Sequence, residues 1–278
     1  MKIVSSGKAL NSPGFYKKKQ KKKHIQLALL SIGFVIFVSS ILYLSRLERF
    51  LITGVSLTEE NIVDREKIIQ SIKDKLSGFY FFVIPHSNAL LYPRRAIKQS
   101  LLKEFPRLKS ITLVLEELHT LSVTVEERVP FALYCVSTSD LTDSSDCFLM
   151  DKEGFIFASA LFFSEDVYFI YTTEDPITNP IGTKLIAVDE FQAVQSFIDN
   201  LPELGIEPSA FKIGDNEFSV FLPNEGEIIW RRDENLALVH SNLEAFVSHD
   251  SIKAQKNFFD RILRLDLRTK NKIFYRFR

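Results

Sequence analysis

Lys17-Lys18-Lys19-Gln20-Lys21-Lys22-Lys23-His24 precedes the stretch IQLALLSIGFVIFVSSILYL, residues 25–44, which contains no charged residue. A helix rises about 1.5 Å per residue, so this stretch is roughly 30 Å long and can cross the hydrocarbon core of a bilayer. Eight lysines and no acidic residue precede it, and positively charged flanks stay in the cytoplasm. The sequence therefore predicts a basic cytoplasmic tail (1–24), one transmembrane helix (25–44) and a C-terminal part outside the cytoplasm.

A cleaved signal peptide is the alternative interpretation of this segment. The apolar stretch is longer than the usual signal-peptide core of about 7–15 residues. Val38-Ser39-Ser40 is a poor cleavage site, so we expect an uncleaved anchor. A later apolar run, Phe79–Pro85, is too short to span a membrane and is expected to be a buried strand or helix end.

Composition bounds the class of the remaining chain. The sequence is 46% hydrophobic and 12% aromatic, with a formal net charge of zero, which is enough apolar material for one large or two small packed domains. Outside the tail the charges are mixed and form no basic stripe, so nucleic acid is not an expected partner. The lysine cluster is expected to act as a topology signal lying on anionic lipid.

The chain has two cysteines, Cys135 and Cys147, and both follow the anchor. A disulfide between them would close a small polar loop, Ser137–Asp146, and loop-closure entropy for that size is worth on the order of 3 kcal/mol. The outer compartment permits oxidation. Two free buried thiols are the alternative, and a catalytic thiol is not expected because no family signature surrounds either cysteine.

The first half of the outer part alternates between strand and helix patterns. Phe50–Val55 predicts a strand, and apolar residues at helical spacing predict helices over Arg65–Leu76 and Ala89–Phe105. Two strands follow, Ile111–Leu115 and Leu121–Val125. The pattern indicates two helices packed on one face of a three-stranded sheet.

From Pro130 the pattern becomes mostly β, with two helices. Gly154 ends a predicted tight turn, Asp151–Gly154, where it is free to take a positive φ. Predicted strands and helices in this half are Phe131–Tyr134, Cys147–Met150, Phe155–Phe157, Val167–Tyr171, a helix over Val188–Leu201, strands around Phe211, Ser219–Phe221 and Ile228–Trp230, a helix near Leu236–Phe246, and a final strand pair, Ile262–Leu267 and Lys272–Phe277.

Five short motifs occur along this chain in an order and at a spacing that are also found in a known protein family. They are the apolar run ending at Gly54, the helix end at Pro106, the strand with Glu127-Arg128-Val129-Pro130, the hairpin Asp151–Gly154, and Asp266-Leu267-Arg268 before the last strand. In this order and spacing after an anchor, the chain resembles the bacterial cell-division family FtsQ, also called DivIB. Leu118 stands where the family usually has Pro, and Arg107 stands where it has an aromatic residue.

The resemblance implies an α+β chain with a POTRA domain, residues 48–128 (strand-helix-helix-strand-strand), and a β-rich C-terminal domain, residues 129–278. It implies a non-enzymatic single-pass scaffold of the division septum in the cytoplasmic membrane. In this family the C-terminal strands receive a strand from FtsB, in a complex that also contains FtsL. The corresponding partner-binding residues here are Lys272, Ile273, Phe274, Tyr275 and Arg276. If the sheet is closed, Phe274 and Tyr275 are instead ordinary core and surface residues.

Catalytic and metal-binding patterns are not apparent in the sequence. It lacks a nucleophile elbow, a zinc-protease helix motif and phosphate-binding glycine loops, so no catalytic residue, metal or cofactor is expected. Asp140, Asp143 and Asp146 lack the glycine and the final glutamate of a calcium loop. Glu127 and Arg128 are adjacent on a strand and point to opposite faces, so both are expected to be structural, as are Asp266 and Arg268.

Two other classes of function remain open at this stage. A POTRA-like unit occurs in protein-assembly and secretion systems, although a single anchor without a barrel argues against that reading. An anchored sensor or enzyme outside the cytoplasm would need a pocket with convergent polar groups, which the sequence does not indicate.

Overall fold

The computed structural model describes residues 13–58, 64–136, 147–160, 167–255, 257–270 and 272–278, with side chains described from Gln20 onward. The chain is of mixed α and β structure and divides into two compact units. The first unit consists of Met1–Leu101 with Thr112–Val125, and the second of Leu102–Ile111 with Glu126–Arg278.

Helix α1 (Pro13–Leu44) contains the uncharged stretch. Within it, the 25 residues Gln20–Leu44 have a mean hydropathy of 2.5, and none of its most apolar window is buried against the rest of the protein. Its hydrophobic side chains therefore face outward on all sides, as expected for a helix surrounded by lipid rather than by a protein core. By length and composition, this helix can cross a membrane.

The rest of the first unit is built around a three-stranded sheet in the order β1-β5-β4. Helix α2 buries Ile68, Ile72 and Leu76, which recur every four residues along one face, and α3 begins immediately after Pro93, where a proline is tolerated. The element bounds are β1 (Gly54–Leu57), α2 (Arg65–Leu76), β2 (Phe79–Tyr80), β3 (Ile84–Pro85), α3 (Arg94–Glu104), β4 (Leu108–Glu116) and β5 (Thr120–Glu127).

The prediction of a strand over Phe50–Val55 is wrong in its bounds. Glu48–Phe50 is a single 3-10 turn, and β1 begins only at Gly54, which pairs with Thr120 of β5. The residues before Gly54 are held elsewhere, because Ile52 N–H donates to Ser87 O at 2.7 Å and Ala89 N–H donates to Phe50 O at 2.8 Å.

The prediction that Phe79–Pro85 is buried is also wrong. The run folds back on itself as the small hairpin β2–β3, and the side chains of Phe81 and Phe82 at its tip are 91% and 95% exposed. Gly78 makes this possible, because a Cβ at that position would lie 2.4 Å from the His86 ring at the base of the hairpin.

A nine-stranded sheet forms the second unit, in the order β14-β13-β12-β11-β10-β9-β6-β7-β8. Strand β14 pairs antiparallel with β13, which makes it the last strand at one edge. The strands are β6 (Ala132–Cys135), β7 (Cys147–Met150), β8 (Ile156–Ser159), β9 (Phe169–Thr173), β10 (Ala210–Ile213), β11 (Glu217–Phe221), β12 (Glu227–Arg231), β13 (Ile262–Asp266) and β14 (Phe274–Phe277).

Helices cover one face of this sheet. In α4 (Val188–Asn200), Phe191, Val194, Phe197 and Ile198 are buried at helical spacing, and Asn235 caps α5 (Leu236–Ser248) by accepting from two backbone N–H groups. The Trp230 ring is fully buried and lies 4.9 Å from that of Phe197. Two single-turn helices, α6 (Asp250–Lys253) and α7 (Phe258–Arg261), complete the layer, in addition to the two helices that the sequence predicts.

The two cysteines form a disulfide on the face of the sheet opposite these helices. Cys135 on β6 lies directly across from Cys147 on β7, with Cα atoms 4.1 Å apart. Both are buried, packed with Leu133 and Ala160. The predicted loop Ser137–Asp146, including Asp140, Asp143 and Asp146, lies outside the described residues.

We predict that replacing both cysteines, Cys135→Ala with Cys147→Ala, lowers the free energy of unfolding of the second unit by about 3 kcal/mol, since the unfolded chain is no longer cross-linked. Urea titration followed by the fluorescence of the buried Trp230 measures this change. Reduced wild type should show the same loss, and equal stability of oxidised and reduced protein would contradict the prediction.

Candidate functional site

The candidate site is the edge of the nine-stranded sheet formed by β14. Of the predicted partner-binding residues, Phe274, Tyr275 and Arg276 lie on β14, whereas Lys272 and Ile273 immediately precede it. Just after β14, the backbone N–H of Arg278 donates to Arg261 O, immediately before β13, at 3.2 Å, so this N–H points toward β13. Because N–H groups alternate in direction along an antiparallel strand, those of Phe274 and Arg276 point toward β13, and those of Tyr275 and Phe277 point away from the sheet.

The opposite edge of the sheet, β8, is already partly occupied. Ile156 N–H donates to Thr183 O at 2.9 Å, and Ile156 O accepts from Gly182 N–H at 2.8 Å. Leu185 N–H continues this cover by donating to Gly154 O at 2.9 Å. Within the described ranges no segment covers β14 in this way, so β14 is the edge at which backbone groups remain available for another strand.

Side chains on the two faces of β14 have different surroundings. Tyr275 lies on the helix-covered face, with ring centroids 5.8 Å from Phe246 of α5 and 5.7 Å from Phe258 of α7. Phe274 lies on the other face, opposite Asp266 of β13, and is 55% exposed. Tyr275 still has 46% of its surface exposed, so both aromatic residues can contact a neighbour at the edge.

A groove of about 390 Å³ runs beside this edge on the helix side. Its apolar walls come from α5, α6 and the segment entering β14, and His249, Thr269 and Lys272 add polar groups at its rim. The apolar lining residues are Ala245, Phe246, Ile252, Leu267, Ile273 and Tyr275. A groove next to an open strand edge can receive alternate side chains of an added strand.

The C-terminal end of β14 is held by contacts to neighbouring elements. The Arg278 guanidinium lies 2.9 Å from a carboxylate oxygen of Glu225 and also donates to Asn224 O. The Arg261 guanidinium lies over the Phe277 ring, 5.0 Å from its centroid. These contacts keep the strand in place without using its outer backbone edge.

Asp266 and Arg268 brace the turn that leads into β14. Arg268 Nη2 donates to Asp266 Oδ2 at 2.6 Å, and Arg268 Nη1 donates to Glu217 Oε2 on β11 at 2.9 Å. The Arg268 hydrogen bonds lower the pKa of the Asp266 carboxyl, and the two carboxylates raise the pKa of Arg268. Asp266 and Arg268 are therefore bonded to each other. Glu217, for which the sequence offered no signal, also bonds to Arg268.

Arg128 and Asp151 form a buried ion pair elsewhere in the second unit. Their side chains are 13% and 6% exposed, and Arg128 Nη1 donates to Asp151 Oδ2. Arg128 Nε donates to Pro106 O at 3.2 Å, and its guanidinium lies 3.8 Å from the centroid of the Phe155 ring. Glu127 belongs to β5 and Pro130 follows it. Arg128, Asp151 and Pro106 all belong to the second unit, so the ion pair acts within that unit.

Asp151 also organises the turn before β8. Its Oδ1 accepts from Glu153 N–H at 2.8 Å and from Phe155 N–H at 3.1 Å. Gly154 has φ +73°, as the turn requires, and a Cβ there would lie 3.0 Å from the Phe191 ring. The carboxylate therefore fixes both a backbone turn and a cation.

Comparison with protein-family models gives no match for this chain, and comparison with curated proteins gives none either. In the described part of the chain, no three His, Cys, Asp or Glu side chains lie together in a group that could hold a metal ion.

We predict that Arg128→Met lowers the free energy of unfolding by about 3–5 kcal/mol, because it leaves the Asp151 carboxylate buried without its cation. Urea denaturation monitored by Trp230 fluorescence measures the loss. The control is Arg231→Met, which removes an exposed pair with Asp233 and should leave the free energy of unfolding nearly unchanged, because solvent screens exposed pairs. Equal effects of the two substitutions would contradict a special role for Arg128.

Proposed function

We propose that this protein is a non-enzymatic scaffold of the bacterial division machinery, anchored by α1 and related to FtsQ/DivIB. The proposal rests on the motifs that resemble this family and on the order of parts along the chain. In it, the first unit corresponds to a POTRA domain, since β1, α2, α3, β4 and β5 follow its strand-helix-helix-strand-strand order, with the β2–β3 hairpin inserted between the helices.

The observation that carries the proposal is the open edge of β14. An added strand would pair with the N–H groups of Tyr275 and Phe277 and extend the nine-stranded sheet to a tenth strand. The groove lined by Phe246, Ile252 and Ile273 would accept its apolar side chains. The affinity of such a contact comes from backbone hydrogen bonds, and its specificity comes from the side chains that enter the groove.

The charges around the edge favour an acidic partner. Lys270, Lys272 and Arg276 are exposed, and within the described residues none of them lies in an ion pair with a carboxylate. Complementary acidic residues on the added strand would speed association and set its register. The proposed partners are an FtsB-like protein, which supplies the strand, and an FtsL-like protein in the same complex.

The proposed orientation places the basic tail in the cytoplasm, and places the part of the first unit that follows α1 and the whole second unit outside it, at the division septum. Positively charged residues beside a span stay in the cytoplasm. The Cys135–Cys147 disulfide is consistent with the same orientation, because structural disulfides persist in oxidising compartments outside the cytoplasm. The β14 edge would then lie on the outer side of the membrane.

We predict that Phe274→Asp abolishes capture of a small single-pass FtsB-like protein by the full chain, since it places a carboxylate at the edge where an acidic strand would pair. Affinity capture from detergent-solubilised membranes, with identification of the bound proteins by mass spectrometry, measures this.

The matched control for this experiment is Val129→Asp. Val129 is an apolar residue of the second unit that is 76% exposed and lies outside β14. The Val129→Asp substitution should leave capture of the partner unchanged. Retention of the same partner by Phe274→Asp, or loss of the partner with both variants, would refute β14 as the docking edge.

A further inference from the structure

Two phenylalanines at the tip of the β2–β3 hairpin are almost fully exposed. Phe81 and Phe82 are 91% and 95% exposed, which are the two highest values among the exposed large apolar residues of the described chain. Exposed apolar side chains of this size mark contact with a lipid or protein surface when they cluster. Three more apolar residues in this part of the sequence, Phe79, Leu90 and Leu91, are 56%, 73% and 50% exposed.

The backbone at this tip is in a conformation that phenylalanine rarely adopts. Val83 N–H donates to Tyr80 O at 3.0 Å and closes a four-residue turn, in which Phe81 has φ +48° and Phe82 has φ +62°. Turns with positive φ at both central residues normally carry Asn-Gly. Bulky residues held in this region indicate a functional reason for their presence.

Hydrogen bonds hold this hairpin against the end of the apolar helix. Helix α1 ends at Leu44, and two residues later Arg46 Nε donates to Val83 O at 3.0 Å, within the hairpin turn itself. The buried Asn88 side chain donates to Ser45 O at 2.9 Å. The segment that leaves the helix is therefore bonded to the hairpin turn and to the residues that follow β3, so the tip cannot lie far from the membrane surface if α1 spans the bilayer.

We propose that Phe81 and Phe82 insert into the outer interface of the bilayer next to the anchor. The surface that these side chains contact would be lipid, because the chain itself holds the hairpin tip beside the end of its transmembrane helix. Aromatic rings favour the headgroup level of a membrane, and interfacial side chains enter roughly 5–10 Å. Arg46, which bonds to the hairpin turn, and Arg49, three residues further along the chain, are both exposed, and their cations suit lipid phosphates.

The consequence is a second point of attachment to the membrane. One helix alone leaves a domain free to tilt and rotate about the point where the chain leaves the bilayer. A hairpin bonded to that exit point and inserted beside it would fix the orientation of the rest of the first unit to the membrane plane. The inference rests on the proposed anchor, and it concerns residues that the division-scaffold proposal does not use.

The test places an indole at the tip of the full chain in lipid nanodiscs. The indole of a Phe82→Trp variant should show blue-shifted emission and lose roughly half of its intensity with acyl-brominated phospholipid, since bromine quenches only groups inside the bilayer. Subtracting the parent protein removes the emission of Trp230, which is fully buried. The matched control, Val114→Trp, replaces another apolar residue of the first unit that is 51% exposed and should be quenched by aqueous iodide instead.

Two results would overturn the inference in distinguishable ways. A Phe82→Trp chain that co-elutes with nanodiscs and is quenched by iodide but not by brominated lipid refutes the inserted tip while the anchor stands. A chain that does not co-elute with nanodiscs refutes the anchor, and the inserted tip with it. Because the bromine lies on the acyl chains and quenches only at short range, an indole covered by a protein partner outside the bilayer would not be quenched by brominated lipid.

Discussion

Backbone hydrogen bonding in the nine-stranded sheet is the constraint on which the second unit depends. Every inner strand has a neighbour on both sides, so unsatisfied backbone groups can collect only at the two ends of the sheet order, β8 and β14. The segment around Gly182 and Thr183 covers part of β8. What remains for another chain is β14, and the helices that bury Trp230 on one face also form the wall of the groove beside it.

Two polar clusters fix the ends of this sheet. Near β8, the Arg128–Asp151 pair holds the turn before the strand, with Gly154 at its positive φ. Near β14, Asp266 and Arg268 hold the turn that precedes the strand, and Arg268 reaches Glu217 on β11. These charged side chains thus hold turns of the backbone in place, and the exposed edge itself consists of ordinary strand residues.

The spacing of apolar residues and the residues typical of turns predicted most of the helices and strands of the chain. Helix α2 occupies the residues expected for it, α4 ends one residue earlier, and the strands of the second half lie within a few residues of their predicted places. The failures have physical causes. Phe50–Ile52 is apolar but bonds to Ser87–Ala89 instead of the sheet, and no local pattern reports such a partner.

The prediction that Phe79–Pro85 is buried was wrong because an apolar run indicates only that its side chains avoid water. It does not distinguish burial in a protein core from contact with lipid. Side-chain partners far apart in sequence, such as Glu217 with Arg268, were also beyond prediction. The family resemblance led us to expect partner binding at the last strand, whereas the groove beside it depends on Phe246 and Ile252 from helices of the preceding segment.

The central claim is that β14 accepts a partner strand, and amide hydrogen exchange tests it most directly. The measurement compares the full chain alone with the chain bound to its captured FtsB-like partner. The account predicts that exchange slows at the outward N–H groups of Tyr275 and Phe277, while Phe274 and Arg276, already paired with β13, change little. Unchanged exchange along β14 in the complex, or protection confined to another surface, would contradict it.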